Sequence, residues 1–330
     1  MNQENQESRW PQVAVVGAGA VGCYFGGMLA RAGAPVILIG RRQHVDAISR
    51  EGLLLDGLHV HERVPARAST ELSAVRDSRI VLFCVKTVDT EAVAEALQPH
   101  LAAGSVLVSL QNGVDNVARI HAATKIQAIP AVVYVACAMT APGQVTHSGR
   151  GDLVVGNPWT DTDDGLCRAI DLEEIAAMFQ RAGVPCRISQ TIEADLWAKV
   201  VMNCAYNAIS ALTRARYGRI VRTPWTRELM RRAVEETVAV AHAEGVLLPE
   251  AAMIEDAFKL GEAMAGALSS TAQDINRAKR TEIDSLNGYV VQRGARLGVP
   301  TPANQALYAL VKLLEESVRE ERSIPPDSAG

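Results

Sequence analysis

The chain has 330 residues, with 33 Lys and Arg against 37 Asp and Glu, and a formal net charge of −4. Apolar residues at 48% and charged residues at 21% allow enough burial to offset ordering entropy, which excludes wholesale disorder, and the length suits two domains. A mildly acidic chain with only 4% aromatics lacks both the basic surface and the stacking platforms of a nucleic-acid binder.

Residues 1–11, which open MNQENQESRW, are polar and are expected to form a disordered N-terminal extension. They contain no basic stretch followed by an apolar one, so no secretory signal is visible and a cytoplasmic location is expected. Val13-Ala14-Val15-Val16 then reads as a strand buried on both faces. It runs into Gly17-Ala18-Gly19-Ala20-Val21-Gly22 and a helix to Arg31, stopped at Gly33. Apolar runs at Pro35 to Ile39, Ile80 to Val85, Ser105 to Leu110 and Ala128 to Ala138 alternate with helix-like Thr90 to Leu101 and Asp115 to Ala123. This alternation predicts an α/β domain over residues 12–189, built on a Rossmann-like, doubly wound parallel sheet. Within it, Gln144 to Gly156 reads as an antiparallel hairpin turning near Gly149 and Gly151. Asp161 to Gly165 reads as a polar loop, Asp171 to Gly183 as a helix and Val184 to Ile188 as a last strand.

Beyond residue 190 the apolar period becomes 3.6: Ile192 to Arg214, Pro224 to Glu244, Glu250 to Leu260, Thr271 to Leu297 and Ala303 to Arg322. An all-helical C-terminal domain over 190–322 is expected, then a flexible tail over 323–330. No apolar run reaches the length of about 18 residues that a membrane span needs, so no membrane partner is expected. An apolar helix can face a partner as readily as its own core, which leaves a homodimer open. Cysteines at 23, 84, 137, 167, 186 and 204 form no C-x-x-C pair and read as small buried hydrophobes. No metal constellation is apparent; His59 and His61 share a strand face, but on an exposed hairpin.

G-x-G-x-x-G by itself is a weak pattern. Here it follows a buried strand and opens a helix, the context in which Gly17 permits a tight turn, Gly19 lets backbone approach a pyrophosphate and Gly22 lets helix and strand pack closely. The helix start then offers N–H groups to phosphate, and a glycine-rich turn without a ligand is the plainer alternative. At the end of the second strand stand Arg41 and Arg42, with no acid before Asp46. A carboxylate there would hold a ribose 2′-hydroxyl, whereas a guanidinium suits a 2′-phosphate, so NADP(H) is expected over NAD(H). Two solvated arginines would look the same. Lys86 and Asn112 each follow a buried strand's carboxyl end, the ligand edge of an open α/β sheet. Lys86 can neutralise cofactor phosphate or approach the nicotinamide ribose. Asn112 can donate and accept at a reacting carbonyl, although Asn112-Gly113 also reads as an ordinary turn pair.

Lys199, Asn203 and Asn207 recur at i, i+4 and i+8 in an apolar segment. Each step of four drifts by about 40° on a helix, so the three project from one face over about 12 Å. Polar groups in such surroundings call for partners, which a ligand carboxylate would supply. Ser270-x-x-Gln273 satisfies a capping box, so Ser270 can simply start a helix, and Glu282 and Asp284 can be solvated acids.

From about residue 12 to 320 the chain resembles the ketopantoate reductase (2-dehydropantoate 2-reductase) family, the NADPH enzymes of pantothenate synthesis. The resemblance rests on Gly17 to Gly22, Val85-Lys86, Leu110-Gln111-Asn112-Gly113, Trp197 with Lys199, Asn203 and Asn207, and Ser270 with Thr281-Glu282-Ile283-Asp284-x-x-Asn287-Gly288. It implies that Lys199 is the catalytic lysine and Glu282 the acid facing the substrate hydroxyl. By the same resemblance Asn203, Asn207 and Ser270 bind a small-molecule 2-oxo acid, Asn112 and Lys86 lie where cofactor meets substrate, and Arg41 meets the 2′-phosphate. Two positions depart from the family pattern. Ala267 stands where an asparagine is common, which bears on the choice of 2-oxo acid, and Asp89 stands where a glutamine is common, which bears on cofactor affinity. Three functions follow: reduction of ketopantoate to pantoate, reduction of another 2-oxo acid or ketone, or a non-catalytic NADP-binding sensor.

Overall fold

A computed structural model describes residues 10–58, 60–159 and 172–323. His59, Cys167, the loop expected at Asp161 to Gly165, and most of the expected N-terminal extension and tail lie outside the described residues. The chain divides into two compact units, Met1–Asp195 and Leu196–Gly330.

The first unit alternates strand and helix. Its elements are β1 (Val13–Val16), α1 (Ala20–Arg31), β2 (Val36–Ile39), α2 (Arg42–Glu51), β3 (Leu53–Gly57), β4 (His61–Val64), β5 (Arg67–Ser69), β6 (Ile80–Phe83), α3 (Thr90–Leu97), β7 (Val106–Ser109), α4 (Asn116–Thr124), β8 (Ile129–Ala141), β9 (Gln144–Val155), α5 (Leu172–Arg181) and β10 (Cys186–Ile188). Among the described residues the strands form one ten-stranded sheet, ordered β4-β3-β9-β8-β7-β6-β1-β2-β5, with β10 beside β9. β1 pairs in parallel with β2 and with β6, and β6 with β7. This is the doubly wound parallel arrangement expected for the segment. Burial shows why the strand runs are apolar throughout: Val13 and Val15 join one core layer, whereas Ala14 and Val16 join the other. A central strand covered on both faces has no polar side to display.

Two features differ from expectation. The hairpin turn is at Pro142-Gly143, between β8 and β9, with Gly143 at φ +68°. Gly149 and Gly151 lie inside β9, where the pairing register with β8 shifts at two nearby points. Gly151, at φ +146°, serves this irregularity and not a chain reversal. Trp10, expected to be disordered, packs against the core beneath the Arg181 guanidinium, 3.9 Å from its ring centroid.

The second unit is helical: α6 (Ile192–Thr213, which begins in the first unit), α7 (Tyr217–Arg222), α8 (Pro224–Ala243), α9 (Glu250–Ala263), α10 (Ser270–Asn276), α11 (Asn287–Leu297) and α12 (Pro302–Ser323). The single helix expected from Thr271 to Leu297 is broken. Ala278 adopts φ +48°, its N–H donates to Ile275 O, and Lys279 N–H donates to Asp274 O at 2.8 Å. That is a Schellman termination with alanine in the position glycine usually fills, so the sequence carries no stop signal. A 3-10 turn over Ile283–Ser285 then leads into α11.

Cys23, Cys186 and Cys204 are buried and Cys84 and Cys137 half-buried, all as free thiols. Burial pushes the thiols of Cys23, Cys137, Cys186 and Cys204 up to about 12, which suits packing and not nucleophilic chemistry. No helix among the described residues is long and apolar enough to cross a membrane.

Candidate active site

The glycine loop hangs from the end of β2, because the N–H groups of Gly17 and Ala18 both donate to Ile39 O at 2.9 Å. Gly17 takes φ +107°, and a Cβ there would lie 2.7 Å from the carbonyl carbon and oxygen of Cys84. At Gly22 a Cβ would run into Gly17 O and the Val15 side chain, so helix and strand touch without an intervening side chain. At Gly19 a Cβ would meet nothing within 4 Å. Gly19 is also the N-cap of α1 and carries no capping side chain, and the first turn contains no acid. Cys23 N–H makes the first bond back into the helix, to Gly19 O, so the N–H groups of Ala20, Val21 and Gly22 form the helix's open first turn. Arg41, exposed, is the N-cap of α2, one residue beyond Gly40. Gly40 itself packs on Ala18, where a Cβ would come within 2.6 Å of the Ala18 Cβ.

Lys86 and Asn112 follow the neighbouring strands β6 and β7, and the structure joins their loops directly. Thr87 Oγ1 donates to Asn112 O at 3.1 Å, and Asn116 Nδ2 donates to the same oxygen at 2.8 Å. Lys86 is exposed and Asn112 half-buried.

In the helical unit, Lys199, Asn203 and Asn207 all lie on α6, at its helical spacing. Lys199 and Asn203 are half-buried and Asn207 is buried. Asn207 Nδ2 lies 3.5 Å from Ser270 Oγ, so two residues distant in sequence share one spot. The cap of α10 is Ser269, not Ser270: Ser269 Oγ accepts from Ala272 N–H at 3.0 Å and donates to Asn207 O at 3.1 Å. Ser270 is left exposed beside Asn207. The paired serines in the sequence held this signal, since the capping role belongs to whichever stands one residue before the helix. Ser269→Ala should therefore cost about 1 kcal/mol of stability, read as a lowered Tm. Ser270→Ala should leave Tm unchanged.

Glu282, half-buried, sits on the turn between α10 and α11. Its neighbours are tied down on both sides. Thr281 N–H donates to the buried Glu315 carboxylate at 2.6 Å. Asp284 accepts from Tyr308 OH at 2.8 Å and Lys312 Nζ at 3.1 Å. Burial raises the Asp284 carboxyl, but Tyr308, Lys312 and Arg280 outweigh it and hold the group below its ordinary value. Asp284 is thus an ion-pair hub and not a solvated acid. Asn287 Nδ2 donates to Cys204 O at 3.4 Å and Tyr289 packs on Trp197, which seats the start of α11 against α6.

Comparison with known proteins places the chain in a family. Residues 13–159 match the family model described as ketopantoate reductase PanE/ApbA, and residues 191–315 match its C-terminal companion. The chain belongs to the ketopantoate reductase family. It is an oxidoreductase of that type. A protein of Halobacterium salinarum named 2-dehydropantoate 2-reductase is 32% identical over 312 residues, covering 92% of this chain and 99% of its own length. The counterpart of that name in Vibrio cholerae is 30% identical over 307 residues, covering 92% and 98%. A crystal structure of a PanE/ApbA family ketopantoate reductase from Ralstonia eutropha superposes with a TM-score of 0.84 at 48% identity, covering 93% of this chain and 99% of that one.

Proposed function

We propose that this ketopantoate reductase family member reduces 2-dehydropantoate to pantoate with NADPH, using Lys199 as general acid. The observation that carries the reading is the polar face of α6, where Asn207 meets Ser270 in a helix that also bears Lys199 and Asn203.

The residues present fit a dinucleotide. Gly17 has no room for a Cβ, Gly19 faces open space, and the helix start carries no side-chain cap or acid to compete with a pyrophosphate. On this reading Gly17, Ala18, Gly19, Ala20, Val21 and Gly22 hold the pyrophosphate, Arg41 the 2′-phosphate, and Lys86 and Asn112 the nicotinamide end. When bound, NADPH supplies a hydride to the C2 carbonyl carbon of the 2-oxo acid. The Lys199 ammonium stabilises the charge that builds on the carbonyl oxygen and passes it a proton. Asn203, Asn207 and Ser270 orient the acid's oxygens, and the Glu282 carboxylate accepts from the substrate hydroxyl. The product carries a secondary alcohol in place of the ketone and is the acid portion of pantothenate and of coenzyme A.

Arg41→Ala should reduce the preference for NADPH over NADH by about tenfold or more, since a lost charge-assisted hydrogen bond is worth about 1.5–3 kcal/mol. An unchanged preference, measured as the ratio of kcat/KM values, would remove Arg41 from the 2′-phosphate.

A second reading, reduction of a different 2-oxo acid, draws on Ala267. This half-buried residue accepts from Tyr217 N–H at 3.1 Å through its backbone and offers a ligand only a methyl group. NADPH consumption with ketopantoate and a panel of 2-oxo acids decides between the two. Fast turnover of ketopantoate supports the first reading, turnover of another acid alone supports the second, and tight cofactor binding without turnover overturns both in favour of a sensor.

A further inference from the structure

We propose that Gln111 is a positioning residue: its buried amide fixes the backbone that presents Lys86 and Asn112. The assignment rests on the proposed function for what those two residues meet, and on the hydrogen-bond web itself for how they are held.

Gln111 is 5% exposed and lies between Leu110, one residue past the end of β7, and Asn112. Its Oε1 accepts from Ser109 Oγ at 2.9 Å. Its Nε2 donates to Thr90 Oγ1 at 2.8 Å and to Val85 O at 3.2 Å. Three of the four hydrogen bonds open to a primary amide are therefore made inside the protein. Thr90, wholly buried, donates onward to Thr87 O at 2.9 Å, with Asn116 Oδ1 at 3.2 Å. Asn116 and Thr87 in turn close on Asn112 O. The carbonyls of Val85, Thr87 and Asn112 thus all end in one web. Lys86 stands between the first two, so the chain is anchored immediately before and immediately after it.

The chemistry of the amide is what the position demands. The web needs one acceptor facing Ser109 and two donors facing a carbonyl and a hydroxyl, all in a water-poor spot. Methionine has the shape without the polarity. Installing it would take the amide partner from Ser109 Oγ and from the Val85 carbonyl, and one of three hydrogen bonds from Thr90 Oγ1. The two loops would then be joined mainly by Thr87 Oγ1 to Asn112 O, without the amide that braces it from behind, and side chains placed by those strand ends would lose part of their fixed direction.

The test uses the full-length protein and three measurements on Gln111→Met, with Thr90→Val as a second cut in the same web should the first variant fail to fold. Amide hydrogen exchange in peptides covering residues 84–90 and 110–116 is expected to quicken at least about tenfold, while exchange in α12 stays as in wild type. The NADPH dissociation constant is expected to rise by about tenfold. In a background carrying both Lys86→Ala and Asn112→Ala the same substitution should shift that constant by less than about threefold, because Gln111 then has neither side chain left to position. Unchanged exchange near Lys86, or an effect on binding that adds in full to that of the Lys86→Ala, Asn112→Ala pair, would overturn the assignment. Wild-type protein that binds no NADPH would instead overturn the proposed function, and exchange alone would then decide the role of Gln111.

Discussion

Replacing Lys199 by alanine is expected to lower kcat by about 10²–10⁴-fold while the NADPH dissociation constant stays within about twofold of wild type. The asymmetry follows from where the residue stands. Lys199 is on α6, in the helical unit, whereas the glycine loop, Arg41 and Lys86 belong to the sheet unit. On the proposed role, removing an ammonium that acts on the carbonyl oxygen withdraws stabilisation that exists mainly in the transition state, so the loss falls on kcat. Lys199→Arg separates the two parts of the role. Arginine keeps the positive charge but holds its proton too tightly to deliver it, so it should recover part of the rate and not all. Steady-state kinetics with fluorescence titration of NADPH checks both. Turnover near the wild-type rate in Lys199→Ala would remove the lysine from the chemistry.

Alanine at Gly17 and alanine at Gly19 should have opposite profiles. At Gly17 the backbone is at φ +107°, costly for any residue with a Cβ, and the new atom would sit 2.7 Å from the Cys84 carbonyl and 2.8 Å from Val85 N. Both neighbours are backbone and cannot swing aside. A cost of at least about 1–3 kcal/mol is expected, with a Tm lowered by several degrees, together with at least about tenfold weaker NADPH binding. Gly19 is at φ −90° with open space around the Cβ position. Gly19→Ala should therefore keep the wild-type Tm and still weaken NADPH, because the methyl group enters only the open space that the proposed function gives to phosphate. Thermal melts with cofactor titrations read the pair. Wild-type affinity in both variants would contradict a pyrophosphate at this loop.

Much of the sheet unit was legible because its signals are local. β1, β2, β6 and β7 are short β-branched runs with apolar residues on both faces, and the glycine loop declares itself by its place between strand and helix. Less legible were elements whose cause is remote. β5 has only three residues and is defined by pairing along β2. The break that puts Glu282 on a turn depends on an alanine accepting a left-handed backbone, and on Glu315 of α12 receiving Thr281 N–H. The α6 stripe could be read from helical spacing alone, but its meeting with Ser270 could not, since that contact joins residues 63 positions apart. The Gln111 web was hidden for a related reason. Glutamine beside a turn looks like an ordinary solvated side chain until the loops after β6 and β7 are seen to share it.

β1 is paired along both edges, Val13 with Val36 on one side and with Ile80 on the other. Its reading frame therefore governs more than a core. Losing a single residue between Gln12 and Gly17 would exchange the occupants of the two apolar layers and, with a rise of about 3.3 Å per residue, drag the phosphate turn along the strand axis. Length changes at Pro142-Gly143, by contrast, would act on local contacts, where Gly143 O accepts from Leu54 N–H at 2.9 Å. A one-residue change in β1 is thus felt in both apolar layers and at the glycine loop together.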